Sequence, residues 1–277
     1  MNSFLLNVKP SQNNPTPYHL VELSPWPILS SISALSITFG SIYWWHFNNY
    51  SILLLGIVLN ILVSICWFGD IIKENVTGFH NSVVCFGFRS GMILFILSEV
   101  LFFFSFFWSY FHNCWGPQNE LGYLWPPYGF EGIVIDPFSI PLLNTVVLIS
   151  SGASITWAHH SLISLNYDEG LIGLGITVFL GIYFLFLQGQ EYISSGYSIN
   201  SSIYGTVFFM LTGFHGFHVT IGTILLIVCL FRHMLIHFSN SQHVGFEASA
   251  WYWHFVDVVW IFLYFFVYWY GFNIMNI

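Results

Sequence analysis

The sequence predicts an all-α integral membrane protein with seven transmembrane helices, and three observations support this fold class. Only 6% of the 277 residues are charged, whereas 56% are hydrophobic and 21% are aromatic. About a quarter of a soluble domain is charged, so we expect most of the outer surface to face lipid. Apolar stretches of membrane-spanning length recur along the chain. With seven spans, the four basic residues all fall on one side of the membrane, as is typical of multi-span proteins.

Seven apolar stretches are long enough to cross a hydrocarbon core of about 30 Å at 1.5 Å per residue. They run from Ile28 to His46, Tyr50 to Phe68, Phe88 to His112, Ile140 to Leu162, Gly170 to Gln190, Ile203 to Phe231 and Ala248 to Tyr270. Only Phe47-Asn48-Asn49 separates the first two, which predicts an antiparallel hairpin. The proline- and glycine-containing segment from Asn113 to Ser139 predicts an irregular, packed external loop.

The sequence predicts a single membrane domain over residues 1–277, with no soluble domain. Its expected parts are 1–69 (the N-terminal tail and helices one and two), 70–87 (an inner loop) and 88–277 (helices three to seven). The N-terminal residues show neither the apolar core of a secretory signal nor the arginine-rich pattern of a transit peptide. We therefore expect the chain to be inserted by its own spans.

The basic residues predict the orientation. With seven spans, Lys9, Lys73, Arg89 and Arg232 all fall on one side of the membrane. The positive-inside rule places that side, and the N-terminus, in the mitochondrial matrix or the cytoplasm. The net charge of −8 reflects this shortage of lysine and arginine, so it indicates no basic partner.

Glu99 is an acid near the middle of the third span. It follows Arg89 by ten residues, which is about 15 Å along a helix and half of the core thickness. Placing a carboxyl group there costs about 2.5–3.5 kcal/mol, so it should face other helices. Ser98 is its only polar neighbour in the local sequence. Two interpretations stay open, a proton or ligand site and a neutral acid that hydrogen-bonds to a neighbouring helix.

Two further pairs of polar residues lie inside predicted spans, His215 with His218 and His254 with Asp257. Each pair has i, i+3 spacing, which places both members on one helix face. A haem iron needs axial ligands on opposite sides, which two histidines on one face of one helix do not supply. We expect interhelical hydrogen bonds for the histidines, while a proton relay through His254 and Asp257 remains the alternative. The four scattered cysteines lack metal-binding spacing, and no metal site is predicted.

Several longer motifs carry a resemblance to a known family. They are Tyr18-His19-Leu20-Val21, Ser24-Pro25-Trp26-Pro27, Arg89-Ser90-Gly91-Met92-Ile93-Leu94-Phe95, Ser98-Glu99-Val100-Leu101-Phe102-Phe103, Trp125-Pro126-Pro127, Pro141-Leu142-Leu143-Asn144-Thr145, Ser154-Ile155-Thr156-Trp157-Ala158-His159-His160-Ser161, Gly213-Phe214-His215-Gly216-Phe217-His218-Val219, Gly245-Phe246-Glu247-Ala248 and Trp251-Tyr252-Trp253-His254-Phe255-Val256-Asp257-Val258-Val259-Trp260. In order and spacing the chain resembles cytochrome c oxidase subunit III. The likeness covers all but the two termini.

The resemblance implies a non-redox core subunit of the aa3-type cytochrome c oxidase, respiratory complex IV. That enzyme passes electrons from cytochrome c to dioxygen and pumps protons. In the family, haem a and copper belong to subunits I and II, so no complete catalytic centre is expected on this chain. Subunit III packs on subunit I, supports proton uptake and sustains turnover. Its seven helices form a two-helix plus a five-helix bundle with a phospholipid-filled cleft, and accessory subunits are further implied partners.

Within that resemblance, Glu99 matches a buried acid near the lipid cleft, which we expect to be largely neutral. Lipid headgroups need basic and hydrogen-bonding groups at the inner interface. The residues expected there are Trp67, Lys73, Glu74, His80, Arg232 and His237. Each has an ordinary interfacial role as its alternative. Where the family commonly has Trp-Trp-Arg-Asp, this chain has Trp67-Phe68-Gly69-Asp70, so one cation is missing.

Histidine supplies most of the groups that titrate near neutral pH on the predicted inner face. These are His19, His80, His159, His160, His233, His237 and His243. They are candidates for holding protons near an uptake entrance, with ordinary hydrogen bonding as the alternative. At the level of the whole protein, a proton-coupled transporter using Glu99 and Asp257 is the competing class. The predicted location is the mitochondrial inner membrane, with a bacterial plasma membrane as the alternative.

Overall fold

The computed structural model describes residues 17–130, 132–240 and 242–274. Within these residues it contains seven helices that are long and apolar enough to cross a membrane. They are α1 (Trp26–Phe47), α2 (Ser51–Val76), α3 (Ser82–Trp115), α4 (Ile140–Ile163), α5 (Tyr167–Ser194), α6 (Ile203–Met234) and α7 (Val244–Phe262). The last continues as a π-helical segment, Leu263–Tyr270, and ends in the short α8, Gly271–Ile274. The all-helical fold class is thereby confirmed.

The connection between α2 and α3 is shorter than the sequence predicted. The inner loop expected over residues 70–87 is mostly helical, because α2 continues to Val76 and α3 begins at Ser82. Hydropathy marks only the part of a helix that lies in hydrocarbon, whereas backbone hydrogen bonds continue into the polar interface. Lys9, one of the residues used to predict orientation, lies outside the described residues.

The chain divides into two compact units, Met1–Phe88 and Arg89–Ile277, and the boundary falls within α3. In the first unit α1 and α2 form the predicted hairpin. A methyl group on Gly40 would lie 2.5 Å from the backbone nitrogen of Leu53, and one on Gly56 would lie 2.8 Å from that of Ile37. The two backbones therefore touch where these glycines lie. At the open end of the hairpin Trp26 Nε1 donates to Asp70 Oδ2 at 2.7 Å.

In the second unit the core lies among α4, α5, α6 and α7. Trp253 and Trp260 of α7 are fully buried. Their indole nitrogens donate to hydroxyl groups of α4, Ser151 at 2.9 Å and Thr145 at 3.0 Å. Each large apolar side chain is therefore also oriented by a hydrogen bond, as buried tryptophan usually requires.

Helix α3 reaches the rest of the second unit through large side chains. The rings of Phe103 and Phe255 have centroids 6.1 Å apart, and those of Phe102 and Phe214 are 5.0 Å apart at right angles. The Phe102–Phe214 contact is edge-to-face, an arrangement that stabilises by about 0.5–1.5 kcal/mol beyond its buried area. Aromatic packing thus holds α3 against α6 and α7.

The long connection between α3 and α4 is irregular and packed, as predicted. Trp125 and Phe130 are buried, and both contact the ring of Tyr204. Phe130 also packs on Tyr197, which lies between α5 and α6. Burial raises the pKa of the Tyr197 hydroxyl well above its usual range, so this side chain stays protonated at physiological pH.

Candidate functional site

Glu99 lies near the middle of the 34-residue helix α3 and faces α6. Its Oε2 is 2.8 Å from Nε2 of His218. The side chain of Glu99 is 21% exposed and that of His218 is 7% exposed. The acid is therefore only partly buried, and it has a partner 119 positions away that its local sequence did not reveal.

The hydrogen bond made by Nδ1 of His218 limits the protonation states of the Glu99–His218 pair. Nδ1 is 2.6 Å from the carbonyl oxygen of Phe214. A carbonyl oxygen only accepts, so Nδ1 carries a hydrogen and donates it. Nε2 then either accepts from a neutral Glu99 or donates to an ionised one. Both forms of the pair have zero net charge, which lowers the cost of placing these residues within the membrane.

A cavity of about 460 Å³ lies beside this pair. Its walls are mainly aromatic and come from α3, α6 and α7, with Phe95, Phe102, Phe214, Phe217 and Tyr252 among them. Ser98, Glu99 and His218 supply polar groups. An apolar cavity with a few polar atoms suits a hydrocarbon chain or a small apolar molecule.

The two histidines of α6 bond to different helices. His218 pairs with α3, whereas His215 Nε2 donates to the carbonyl oxygen of Val256 in α7 at 3.1 Å. His215 is fully buried between the rings of Phe184 and Trp260. Their common helix face therefore serves two separate interhelical contacts.

His254 and Asp257 share a helix face but do not hydrogen-bond. His254 Nδ1 is 3.9 Å from Asp257 Oδ2. The carboxylate instead packs against α4, where a methyl group on Gly152 would lie 2.7 Å from Oδ2. Its Oδ1 is buried and has no hydrogen-bond partner within the described part of the chain. The arrangement places an acid against a neighbouring backbone rather than in a continuous relay.

The predicted headgroup residues of the first unit form two small groups on and beside the last turns of α2. Lys73 is 78% exposed, and its Nζ is 3.0 Å from Asp70 Oδ1. Glu74 Oε2 lies 3.6 Å from Nε2 of His19 and 3.7 Å from Nε2 of His80. Trp67, also on α2, is 37% exposed. The end of α2 thus presents an accessible ammonium group and, beside it, an acid flanked by imidazoles.

Arg232 and His237 form the corresponding group of the second unit, at the end of α6. The guanidinium carbon of Arg232 lies 4.5 Å from the centroid of the Phe238 ring, a cation–π contact. Arg232 Nε and His237 Nδ1 are buried and lack hydrogen-bond partners among the residues that the structure describes. A phosphate oxygen would satisfy the Arg232 donor, because arginine binds phosphate through several parallel donors.

Sequence reasoning missed Glu191, which is 2% exposed and more buried than Glu99. Its Oε1 accepts from the Tyr268 hydroxyl at 2.6 Å and from Gln188 Nε2 at 3.0 Å. Gln188 Oε1 in turn accepts from Asn144 Nδ2 of α4 at 3.2 Å. The signal available was the polar sequence Gln188-Gly189-Gln190-Glu191 at the end of the fifth apolar stretch. Acids at span ends usually face the interface, so this one did not indicate a buried network.

The fold and these interhelical polar contacts define a multi-span α-helical membrane protein. A family model for cytochrome c oxidase subunit III matches residues 16–272. The chain is 55% identical to cytochrome c oxidase subunit 3 of Pisaster ochraceus over 256 residues, covering 92% of this chain and 98% of the relative. It is 53% identical to that of Drosophila melanogaster and 52% to that of Ornithorhynchus anatinus, with 92% of this chain and 97% of each relative covered. The chain belongs to the cytochrome c oxidase subunit III family.

Family membership confirms the resemblance found in the motifs and makes the chain part of a haem–copper oxidase complex with other subunits. The animal relatives, together with the membrane-spanning helices, support an inner-membrane protein.

Proposed function

We propose that the chain is a supporting subunit of the aa3-type oxidase that binds phospholipid, packs on subunit I and supports proton uptake into it. Haem a and copper, and the electron transfer from cytochrome c to dioxygen, belong in this proposal to subunits I and II. The observation that carries it is the Glu99–His218 pair beside an aromatic cavity. The pair is electrically neutral as a unit and joins two helices, which favours a structural role over transport of an ion.

The proposed lipid has its acyl chain in an apolar environment and its phosphate at basic groups. In the second unit, the guanidinium donors of Arg232, with His237 nearby in the chain, support a phosphate contact at the end of α6. In the first unit, the exposed ammonium of Lys73 supports one at the end of α2. Trp67 would lie at the level of the headgroups, the usual place for tryptophan, and Glu74 with His80 would accept or donate hydrogen bonds there.

The proposed topology places the N-terminus in the matrix. Lys73 lies in the last turn of α2 and Arg232 in the last turn of α6. Arg89 lies near the beginning of α3. If each span crosses once, these ends and the N-terminus share a side, which the positive-inside rule assigns to the matrix.

Mild solubilisation of the membrane tests the central proposal. The chain should migrate with a particle that contains haem and copper, with subunits I and II present in equal amounts. A proton-coupled transporter using Glu99 and Asp257 would instead migrate as a colourless particle without those subunits. That result would contradict the proposed function.

Gly69 offers a sharper test of lipid binding, because a methyl group there would meet no atom within 4 Å. Gly69→Arg introduces the cation that the family commonly has at this position. A basic residue near an anionic surface contributes about 1 kcal/mol, roughly a fivefold gain in affinity. Native mass spectrometry of the intact oxidase should therefore retain more anionic phospholipid with Gly69→Arg than with Gly69→Ala, the matched control. Equal retention by the two variants would count against a headgroup at the end of α2.

A further inference from the structure

Three side chains with metal-binding atoms converge where α4 ends and α7 begins. They are His159 of α4, His243 just before α7 and Glu247 in the first turn of α7. One ligand atom from each lies within 4.8 Å of the other two. His243 Nε2 and Glu247 Oε1 are 3.4 Å apart. Ligands bound at about 2.0–2.1 Å in a tetrahedral zinc site are roughly 3.3–3.4 Å apart, so this pair already has the required separation.

The neighbouring groups leave the right atoms available for a metal. His243 Nδ1 donates to the carbonyl oxygen of Ser239 at 2.9 Å, which directs the lone pair of Nε2 toward Glu247. Glu247 Oε2 accepts from Arg89 Nε at 2.7 Å, which leaves Oε1 for another partner. Hydrogen bonds of this kind orient the ligands in known zinc sites.

His159 supplies the third donor. Its Nε2 is buried and makes no hydrogen bond to any described residue. The ring is held between those of His243 and Phe246, with centroid distances of 5.5 and 5.4 Å. A buried imidazole nitrogen without a partner destabilises the folded state, and metal coordination would remove that cost. The ligand nitrogen of His159 lies within 4.8 Å of the other two ligand atoms, so a shift of no more than roughly 1.5 Å brings it to the ligand separation of a zinc site.

We propose that His159, His243 and Glu247 bind a divalent transition metal ion, with Zn²⁺ as the best match. Two imidazoles and one carboxylate form a donor set typical of zinc, and water would occupy the fourth position. Glu247 is 16% exposed, which gives that water access. The ion would link α4 to the start of α7 and, through the Arg89–Glu247 ion pair, to α3. This site does not include Glu99 or His218. Arg232 lies beside it, because a methyl group on Gly245, between His243 and Glu247, would lie 2.6 Å from Arg232 Nη1.

Crystals of the intact oxidase test the site directly. The enzyme is washed with chelator, soaked in Zn²⁺ and measured on both sides of the zinc absorption edge. Anomalous density between His159, His243 and Glu247 supports the proposal. Density at other zinc positions of the complex with none between these residues overturns it.

A ligand variant provides the second measurement, made by equilibrium dialysis of the purified complex against radioactive zinc. His159→Gln should remove one bound Zn²⁺ per complex. The loss of affinity should exceed roughly 10- to 100-fold, which is the effect of losing a residue that only hydrogen-bonds to a metal ligand. His160→Gln is the matched control, because His160 is the adjacent histidine and lies outside the group. Equal zinc binding by both variants contradicts the proposal. If His159→Gln fails to assemble, the diffraction result on the unaltered enzyme decides.

Discussion

At the scale of single residues, a hydrogen bond to His218 accommodates the acid Glu99 within an apolar helix. An isolated carboxyl at mid-span costs about 2.5–3.5 kcal/mol. His218 lowers that cost, because its Nδ1 is fixed as a donor and its Nε2 shares one proton with Glu99. The expected neutral acid is one of two forms of the pair, and the other is an imidazolium with a carboxylate.

This pairing predicts that the two partners respond unequally to substitution. His218→Phe leaves Glu99 without its hydrogen-bond partner, which costs about 1–3 kcal/mol. Glu99→Gln retains a bond, because the glutamine amide donates to His218 Nε2. Thermal unfolding of the solubilised oxidase should therefore show the larger destabilisation for His218→Phe.

The control is a double variant, Glu99→Leu with His218→Phe. Removing both polar groups leaves no unsatisfied atom, so the double variant should be more stable than His218→Phe alone. Additive losses would mean that the two side chains do not interact.

At the scale of helices, backbone contact holds α1 and α2 together. Gly40 and Gly56 allow the approach, because no other residue leaves room for the facing backbone. Small residues at helix contacts are common in membranes, where lipid removes the hydrophobic drive for association. Most of the surface of α1 and α2 remains exposed. Besides the glycine contact, the Trp26–Asp70 bond and a bond from Asn60 Nδ2 to Ser33 Oγ at 3.0 Å join the two helices.

Gly56→Ala should open this hairpin. The added methyl group would lie 2.8 Å from the backbone nitrogen of Ile37, and the overpacking costs about 1–3 kcal/mol. Gly69→Ala, in the same helix but with nothing within 4 Å, should instead stabilise by about 0.5–1 kcal/mol. Protease susceptibility of the solubilised complex distinguishes the two. Equal susceptibility would show that the glycine contact is unimportant.

At the scale of the whole molecule, we expect the two termini to lie on opposite sides of the membrane, since the described residues contain seven candidate spans, an odd number. Cleavable tags at each end test this in sealed vesicles of known orientation. The N-terminal tag should be cleaved from the matrix side and the C-terminal tag from the other. Cleavage of both tags from one side would mean that one of the seven apolar stretches does not cross the membrane. The orientation predicted from the basic residues would then be wrong.

Much of the fold was predictable, because lipid imposes a simple requirement. Each span must be apolar and must satisfy its own backbone hydrogen bonds, so hydropathy locates helices without knowledge of their neighbours. The predicted helix ends were wrong mainly at the end of α2 and the beginning of α3. Asp70, Lys73 and Glu74 belong to α2 although they are charged. Helical hydrogen bonding does not stop where hydrocarbon ends.

The candidate site was predictable only in part. Glu99, His215, His218 and Asp257 were recognisable because polar groups inside an apolar stretch are costly and therefore conspicuous. Their partners were not, since Glu99 bonds to His218 and His215 to a carbonyl of α7. Glu191 escaped notice because its position at the end of a span resembles an ordinary interfacial acid.

Glu99 therefore separates what the sequence determined from what the tertiary structure decided. The sequence alone determined a seven-span helical protein, the family to which it belongs and the position of this acid near the middle of the third helix, because these depend on composition, motif order and the rise per residue. Only the tertiary structure decided that the acid meets His218 beside an aromatic cavity, and that His159, His243 and Glu247 converge. Such contacts depend on the rotation of each helix about its axis, which interhelical packing determines.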